Sequence, residues 1–305
     1  MSEIFAKMAL PIDEQYCLKK QRIQNGTSKK RICIVSGTHG DELEGQYVCY
    51  QLQQMLDQSL DQLDGIVDIY PCLNPLGMDS ITRKVPMFDL DMNRIFPGDE
   101  EGSMVEFMAN EIMKDLIGAD LVIDIHASNI YLKEIPQIRI NEIHAQKLVP
   151  LATMMNVDYV WVHAASTVLE STLAYSLNQL NTPTLVVEMG VGMRLTLPYG
   201  NAIVDGILHT MYEMGMWKED RKVKQPIISK DRQVSFLNAE CAGIFIPTTS
   251  IKHHVEKGEY LGTIVDPLEG KRKAKVLSPC DGLLFTLREY PFVNEGSLIG
   301  RILEM

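Results

Sequence analysis

Between residues 30 and 215, short runs of consecutive apolar residues alternate with longer stretches whose apolar positions recur every three or four residues. The runs Arg31–Ser36 (RICIVS), Gly65–Tyr70 (GIVDIY), Leu121–Ile125 (LVIDI), Tyr159–Val162 and Thr184–Val187 are short and rich in β-branched residues, so they predict buried strands. Amphipathic helices are predicted between them, at Leu43–Asp57, Met104–Leu116, Glu142–Met155, Ser171–Leu180 and Ala202–Met214. This alternation predicts an α/β fold, a sheet covered on both faces that binds its ligands near the strand ends.

The pattern changes after residue 215. Lys218 to Lys230 is rich in charge, contains Pro226 and has no strong period, as expected of a linker. From about Val234 the chain carries short strand-like runs and an internal repeat. Gly243 is followed by Val255, Gly258 and Gly262, and Gly282 by Val293, Gly296 and Gly300. One deleted residue brings the two copies into register, which predicts a two-fold-related β-sandwich or barrel. The chain therefore divides into an α/β unit over residues 1–225 and a duplicated all-β unit over 226–305. The second unit resembles the biotinyl/lipoyl barrel-sandwich fold, whose cofactor-bearing lysine lies on an exposed hairpin. The Met-Lys-Met context of such a lysine is absent here, so Lys271, Arg272, Lys273 and Lys275 read as a solvated hairpin, and the unit is expected to pack on the first or gate it.

Composition narrows the function. A formal net charge of -11 argues against a nucleic-acid partner, because a phosphate backbone repels an acidic surface. No window holds the roughly 20 uninterrupted apolar residues of a membrane span, and Met1 to Leu10 lacks the apolar run of a signal peptide. Six widely spaced cysteines without a CxxC pair suggest free thiols in a reducing compartment, the cytoplasm.

The chemistry concentrates at predicted strand ends. In Ile34-Val35-Ser36-Gly37-Thr38-His39-Gly40-Asp41-Glu42 a strand enters a glycine-containing turn before a helix, presenting His39 and Glu42 together. Zinc accepts imidazole nitrogen and carboxylate oxygen, and a catalytic zinc keeps one position open. An HxxE pair is common by chance, but a second strand, Leu121-Val122-Ile123-Asp124-Ile125, ends at His126, a third ligand of the right kind. Asp124 shares the face of His126 by the two-residue strand period, and reads either as a carboxylate orienting that imidazole or as an ordinary polar strand residue. Glu188 follows Thr184, Leu185, Val186 and Val187 at the end of a further strand, where a carboxylate needs a reason to be buried; a general acid/base role supplies one. The loop Phe88–Gly98 carries Asn93 and Arg94, which suit a substrate carboxylate, and Arg83 upstream suits an oxyanion. Histidines 144, 163, 209, 253 and 254 have no matching partners and read as surface or structural.

The segments HGDE (39–42), DLDMNRIFPG (89–98), IDIHAS (123–128) and VVEMG (186–190), in this order, resemble the succinylglutamate desuccinylase/aspartoacylase family, a branch of the zinc carboxypeptidase-like fold. The resemblance covers roughly the first 215 residues. It implies a mixed sheet flanked by helices, with a C-terminal β domain. It also implies one zinc held by His39, Glu42 and His126, Glu188 as general acid/base, Asn93 and Arg94 on a substrate carboxylate, and Arg83 on the scissile carbonyl. The implied partner is a small N-acyl amino acid or peptide-like amide, with no nucleic acid and no membrane; a homo-oligomer is left open. The chain departs from the family in having Asp-Met-Asn-Arg for Asp-Leu-Asn-Arg. It departs again where Tyr290–Glu295 continues into Gly296, Ser297 and Leu298 rather than towards a substrate-facing tyrosine. The rival readings are a metallocarboxypeptidase or peptide amidase, and a non-catalytic binding protein on the same fold.

Overall fold

The computed structural model describes residues 2–164 and 170–305. Strands β1 (Ser2–Ala9) and β2 (Gln15–Asn25) form an antiparallel hairpin that leads into β3 (Arg31–Ser36). The chain continues through α1 (Glu44–Gln58), β4 (Gly65–Tyr70), α2 (Pro75–Asp79), α3 (Met104–Leu116), β5 (Leu121–His126), β6 (Leu132–Asn141) and α4 (Ala145–Ala152). Next come β7 (Tyr159–His163), α5 (Leu173–Gln179), β8 (Thr184–Gly190) and α6 (Leu197–Glu213). The remainder is β9 (Ile227–Lys230), β10 (Val234–Asn238), β11 (Gly243–Pro247), β12 (His253–Val255), β13 (Tyr260–Asp266), β14 (Lys271–Leu277), β15 (Gly282–Arg288), β16 (Phe292–Val293) and β17 (Leu298–Glu304).

The five apolar runs are strands because both of their faces are covered. Ile32 and Ile34 of β3 enter one core with Val48, Leu52 and Leu56 of α1 and Ile203 and Ile207 of α6. Cys33 and Val35 point the other way, into a core with Met108 and Ile112 of α3 and Leu173 and Leu177 of α5. A strand buried on both faces reads as an unbroken apolar run, and such strands form the parallel centre β4-β3-β5-β8. The chain turns from β3 to β4 on one side and later places β5 on the other. The carboxyl ends of β3 and β5 therefore flank a topological switch point, where open α/β sheets bind ligands.

Several elements depart from the sequence expectations, each for a physical reason. In β2 the inward positions include Lys20, 4% exposed and paired with Asp115 at 2.7 Å, so the alternation is hidden by a buried charge. Strand β6 contains Pro136, which argues against a central strand; a register shift between Glu134 and Gln137 accommodates it. The segment expected to link the two units is shorter than expected, because Ile227–Lys230 pairs in parallel with β7. The helix expected over 142–155 is a short 3-10 turn, Glu142–His144, followed by α4.

The C-terminal repeat has a structural counterpart. β11, β12 and β13 of the first copy correspond to β15, β16 and β17 of the second, and the copies exchange their middle strands. Gly243 faces Val293, and Gly282 faces Val255. The turn glycines Gly258 and Gly296 share positive φ values of 85° and 79°, a conformation that side-chain-bearing residues resist. One group, β14-β13-β11-β16, is a separate antiparallel sheet, whereas β15 extends the main sheet by pairing Thr286 with Glu134 of β6. Lys271, Arg272, Lys273 and Lys275 are exposed along β14.

Leu52→Ala, at a fully buried position, is expected to lower unfolding free energy by about 2–5 kcal/mol in a urea titration. Tyr50→Ala on the exposed face of the same helix should stay within about 0.5 kcal/mol of the parent.

Candidate metal centre

The turn after β3 is shaped by two glycines. Gly37 has φ 67°, and a Cβ on Gly40 would lie 2.0 Å from the Gly77 backbone, so the turn packs too closely for larger residues. It delivers His39 and Glu42 to the end of β5, where His126 closes a buried group of three donors within 4.8 Å of one another. His39 Nδ1 is 2.8 Å from Glu42 Oε1, His126 Nδ1 is 3.0 Å from Glu42 Oε2, and the two Nδ1 atoms are 3.3 Å apart.

The outer nitrogens of both imidazoles face carboxylates. His39 Nε2 is 3.1 Å from Asp91 Oδ1, and His126 Nε2 is 3.0 Å from Asp124 Oδ2. An ionised carboxylate only accepts, so each ring donates its Nε2–H outward and keeps an Nδ1 lone pair directed inward. In the neutral rings two lone pairs and the Glu42 carboxylate then face one another. That arrangement requires positive charge at its centre, and the donor set fits a single divalent cation. Ligands on a tetrahedral zinc with bonds near 2.0 Å lie about 3.3 Å apart, close to the spacing seen here.

The titration tendencies express the same demand. Burial pulls the His39 and His126 pKa values down, but for His39 the Glu42 charge and the Asp91 hydrogen bond outweigh it, and for His126 Asp124 and Glu42 do; both end raised. Burial would push Glu42 up, yet His39 and His126 hold it well below the usual carboxylate range. Asp91 is likewise depressed, burial being outweighed by His39 and Arg83. Alanine 127 adds a backbone N–H to Glu42 Oε2 at 3.0 Å.

The other residues singled out in the sequence line the same cavity, about 930 Å³ including its open mouth. Glu188 lies on β8 directly beside His126 in the β5–β8 register, with Oε1 accepting from Arg139 Nη1 at 3.3 Å. Burial pushes its pKa up against the opposing charges of Arg139 and His126. Arg83 Nη1 donates to Glu42 Oε1 at 2.8 Å and its Nε to Asp91 at 3.3 Å, so its guanidinium is engaged with the triad itself. Asn93 accepts the Leu173 N–H on Oδ1 at 3.0 Å, which leaves its Nδ2 uncommitted among the described residues. Arg94 is exposed at the cavity rim and donates to the Asn93 carbonyl. Asp124 proves to be the carboxylate that orients His126.

Of the histidines expected to be surface or structural, His144 and His163 line the wall of the same cavity. Burial lowers both pKa values, assisted at His144 by Lys147. His209 and His253 pair instead with Asp220 and Glu259. The sequence reading also passed over Asp91 and Arg139. Asp91 stands inside the DLDMNR segment, where an aspartate ahead of a turn is the available signal; it accepts the Asn93 N–H at 2.9 Å. Arg139 alternates with Gln137 and Asn141 along β6, a polar register masked by Pro136.

A family model, the succinylglutamate desuccinylase/aspartoacylase catalytic domain, matches residues 28–212. The chain is 34% identical over 104 residues to the N-alpha-acetyl-L-2,4-diaminobutyric acid deacetylase of Halomonas elongata, a match spanning 34% of this chain and 30% of the relative. Product-bound ectoine utilization protein EutE (DoeB) from Ruegeria pomeroyi superposes with a TM-score of 0.84 at 18% identity, covering 100% of this chain and 95% of that one. A succinylglutamate desuccinylase/aspartoacylase from Rhodobacter sphaeroides superposes at 0.83 and 21% identity, over 99% and 95% of the two chains. These structures share the fold from the first strand to the last.

Elemental mass spectrometry should find about one divalent ion per chain, and none in a His39→Ala/His126→Ala variant. Asp124→Ala, which frees the His126 ring, should weaken metal affinity by roughly 10–100-fold in a chelator competition.

Proposed function

The chain belongs to the succinylglutamate desuccinylase/aspartoacylase family, and on that premise we propose that it is a zinc-dependent amidohydrolase removing the acyl group from a small N-acyl amino acid or related amine. The observation that carries this reading is a single cavity holding the His39–Glu42–His126 triad, the Glu188 carboxylate and the guanidinium groups of Arg83, Arg94 and Arg139. Two imidazoles and one carboxylate with an open side are a donor set that catalytic zinc uses. When bound, zinc supplies Lewis acidity, polarising the acyl carbonyl and making water acidic enough to attack near neutral pH.

The chain's own residues carry the protons and the binding. Glu188 takes the proton of the attacking water and returns it to the departing nitrogen. Its raised pKa suits both halves of that exchange, since a carboxylate of ordinary acidity returns a proton poorly. Arg83 stabilises the oxyanion, exchanging its contact with Glu42 for the substrate oxygen. The uncommitted Nδ2 of Asn93 and the Arg94 guanidinium bind the substrate's α-carboxylate. Arg83, Arg94 and Arg139 offset the cavity's carboxylates Glu42, Asp124 and Glu188, in a chain whose formal net charge is -11. The Halomonas relative's name supports including N-acetylated diamino acids among the candidates. Six unpaired cysteines support a reducing, cytoplasmic setting.

The test is a hydrolysis panel of N-acyl aspartates, N-succinylglutamate, Nα-acetyl-2,4-diaminobutyrate and small dipeptides, run with the zinc-loaded protein. Release of amine from the N-acyl amino acids, with dipeptides left intact, is expected. Preferential cleavage of dipeptides would replace this reading with a carboxypeptidase. Glu188→Gln should keep its zinc and lose about a hundredfold or more in kcat; near-parental turnover would remove Glu188 from the acid/base role.

A further inference from the structure

Glu134 is fully buried on β6, beside the bulge, and does not line the cavity. A buried carboxylate is costly unless its oxygens are satisfied. Here Oε2 accepts from Arg139 Nη2 at 2.7 Å, while Oε1 accepts from Thr286 Oγ1 at 3.2 Å and from Arg301 Nη1. Thr286 and Arg301 belong to β15 and β17, in the duplicated C-terminal region. The guanidinium groups of Arg139 and Arg301 lie 5.7 and 5.8 Å from the Trp161 ring centroid, which adds a second restraint to each. Arg139 then directs its other nitrogen, Nη1, to Glu188 Oε1 at 3.3 Å.

We propose that Glu134 and Arg301 are positioning residues for the acid/base Glu188, so that the C-terminal strands complete the active site through the chain Arg301–Glu134–Arg139–Glu188. The inference rests on the acid/base reading of Glu188. Glu188 Oε2 is buried without a hydrogen-bond partner among the described residues, which makes it the oxygen open to a proton. Arg139 leaves it open because Glu134 holds the opposite side of the guanidinium fork. Without Glu134, or with Glu134 no longer fixed by Arg301, the fork is free to close on both Glu188 oxygens, as guanidinium groups do with an isolated carboxylate. That would occupy Oε2, the atom that must accept the proton, while leaving the metal triad and the Asn93–Arg94 site untouched.

The test is a double-mutant cycle on zinc-loaded protein, using the N-acyl amino acid of the panel that is turned over fastest. Arg301→Met should lower kcat by roughly tenfold with KM within about twofold and zinc content unchanged. Arg301→Lys, which keeps a donor for Glu134, should restore most of the rate. In a Glu188→Gln background, Arg301→Met should cost less than about twofold further, because its effect is transmitted through Glu188. If Arg301→Met does not fold, Thr286→Val removes a single donor to Glu134 at constant shape and is read in the same cycle, with a smaller loss expected. An unchanged kcat in Arg301→Met, or an equal loss in the Glu188→Gln background, would overturn the inference while leaving the acid/base reading standing. Parental activity in Glu188→Gln alone would instead overturn that reading, and the inference with it.

Discussion

The register of three parallel strands sets everything else in the molecule. β3, β5 and β8 lie side by side, with Ser36 opposite Ile125 and His126 opposite Glu188. Backbone hydrogen bonds fix these neighbours, so the ends of the strands reach the same edge of the sheet together. A shift of one residue in β5 would send His126 to the opposite face and separate it from His39 and Glu42. The two apolar cores that sandwich β3 and β5 specify that register, since each strand buries alternate residues on opposite sides. Core packing and metal-site geometry are therefore a single constraint.

The charges follow from that convergence. Bringing two imidazoles and a carboxylate into a buried group creates a deficit of positive charge that Asp91 and Asp124 deepen by fixing the rings with their lone pairs inward. The surroundings answer with Arg83 against Glu42 and Asp91, and Arg139 against Glu188 and Glu134. A chain that is acidic overall thus has a cavity whose guanidinium groups face an acidic metal cradle. The deacylase proposed above would use this arrangement to hold a substrate carboxylate at one end and its carbonyl at the other.

The legible parts of the sequence were those in which one force dominated. Doubly buried strands read as apolar runs, and β3 and β4 appear with the predicted bounds. The residues at their ends stood out because a His or Glu closing a mainly apolar run has no hydrophobic explanation. What escaped was encoded by pairs distant in sequence. Lys20 looks like a surface residue until Asp115 lies beside it, and β6 looks broken until the bulge around Pro136 absorbs the proline. Arg139 and Glu134 escaped with β6, because their partners Glu188, Thr286 and Arg301 are 49 to 167 residues away.

The duplicated tail shows the same limit. Its repeat predicted a two-fold unit, and the reciprocal pairing of Gly243 with Val293 and Gly282 with Val255 realises it. Within that symmetry the second copy differs from the first: β15 joins β6 of the main sheet, whereas β11 stays in the separate one. Thr286 sits at the junction, buried against Glu134, and Arg301 stands opposite it on β17. In the first copy Pro247 and Thr263 occupy the corresponding places, and neither carries a charge. Duplication therefore accounts for the shape of the tail. The asymmetry places its polar side chains three hydrogen bonds from Glu188, through Glu134 and Arg139.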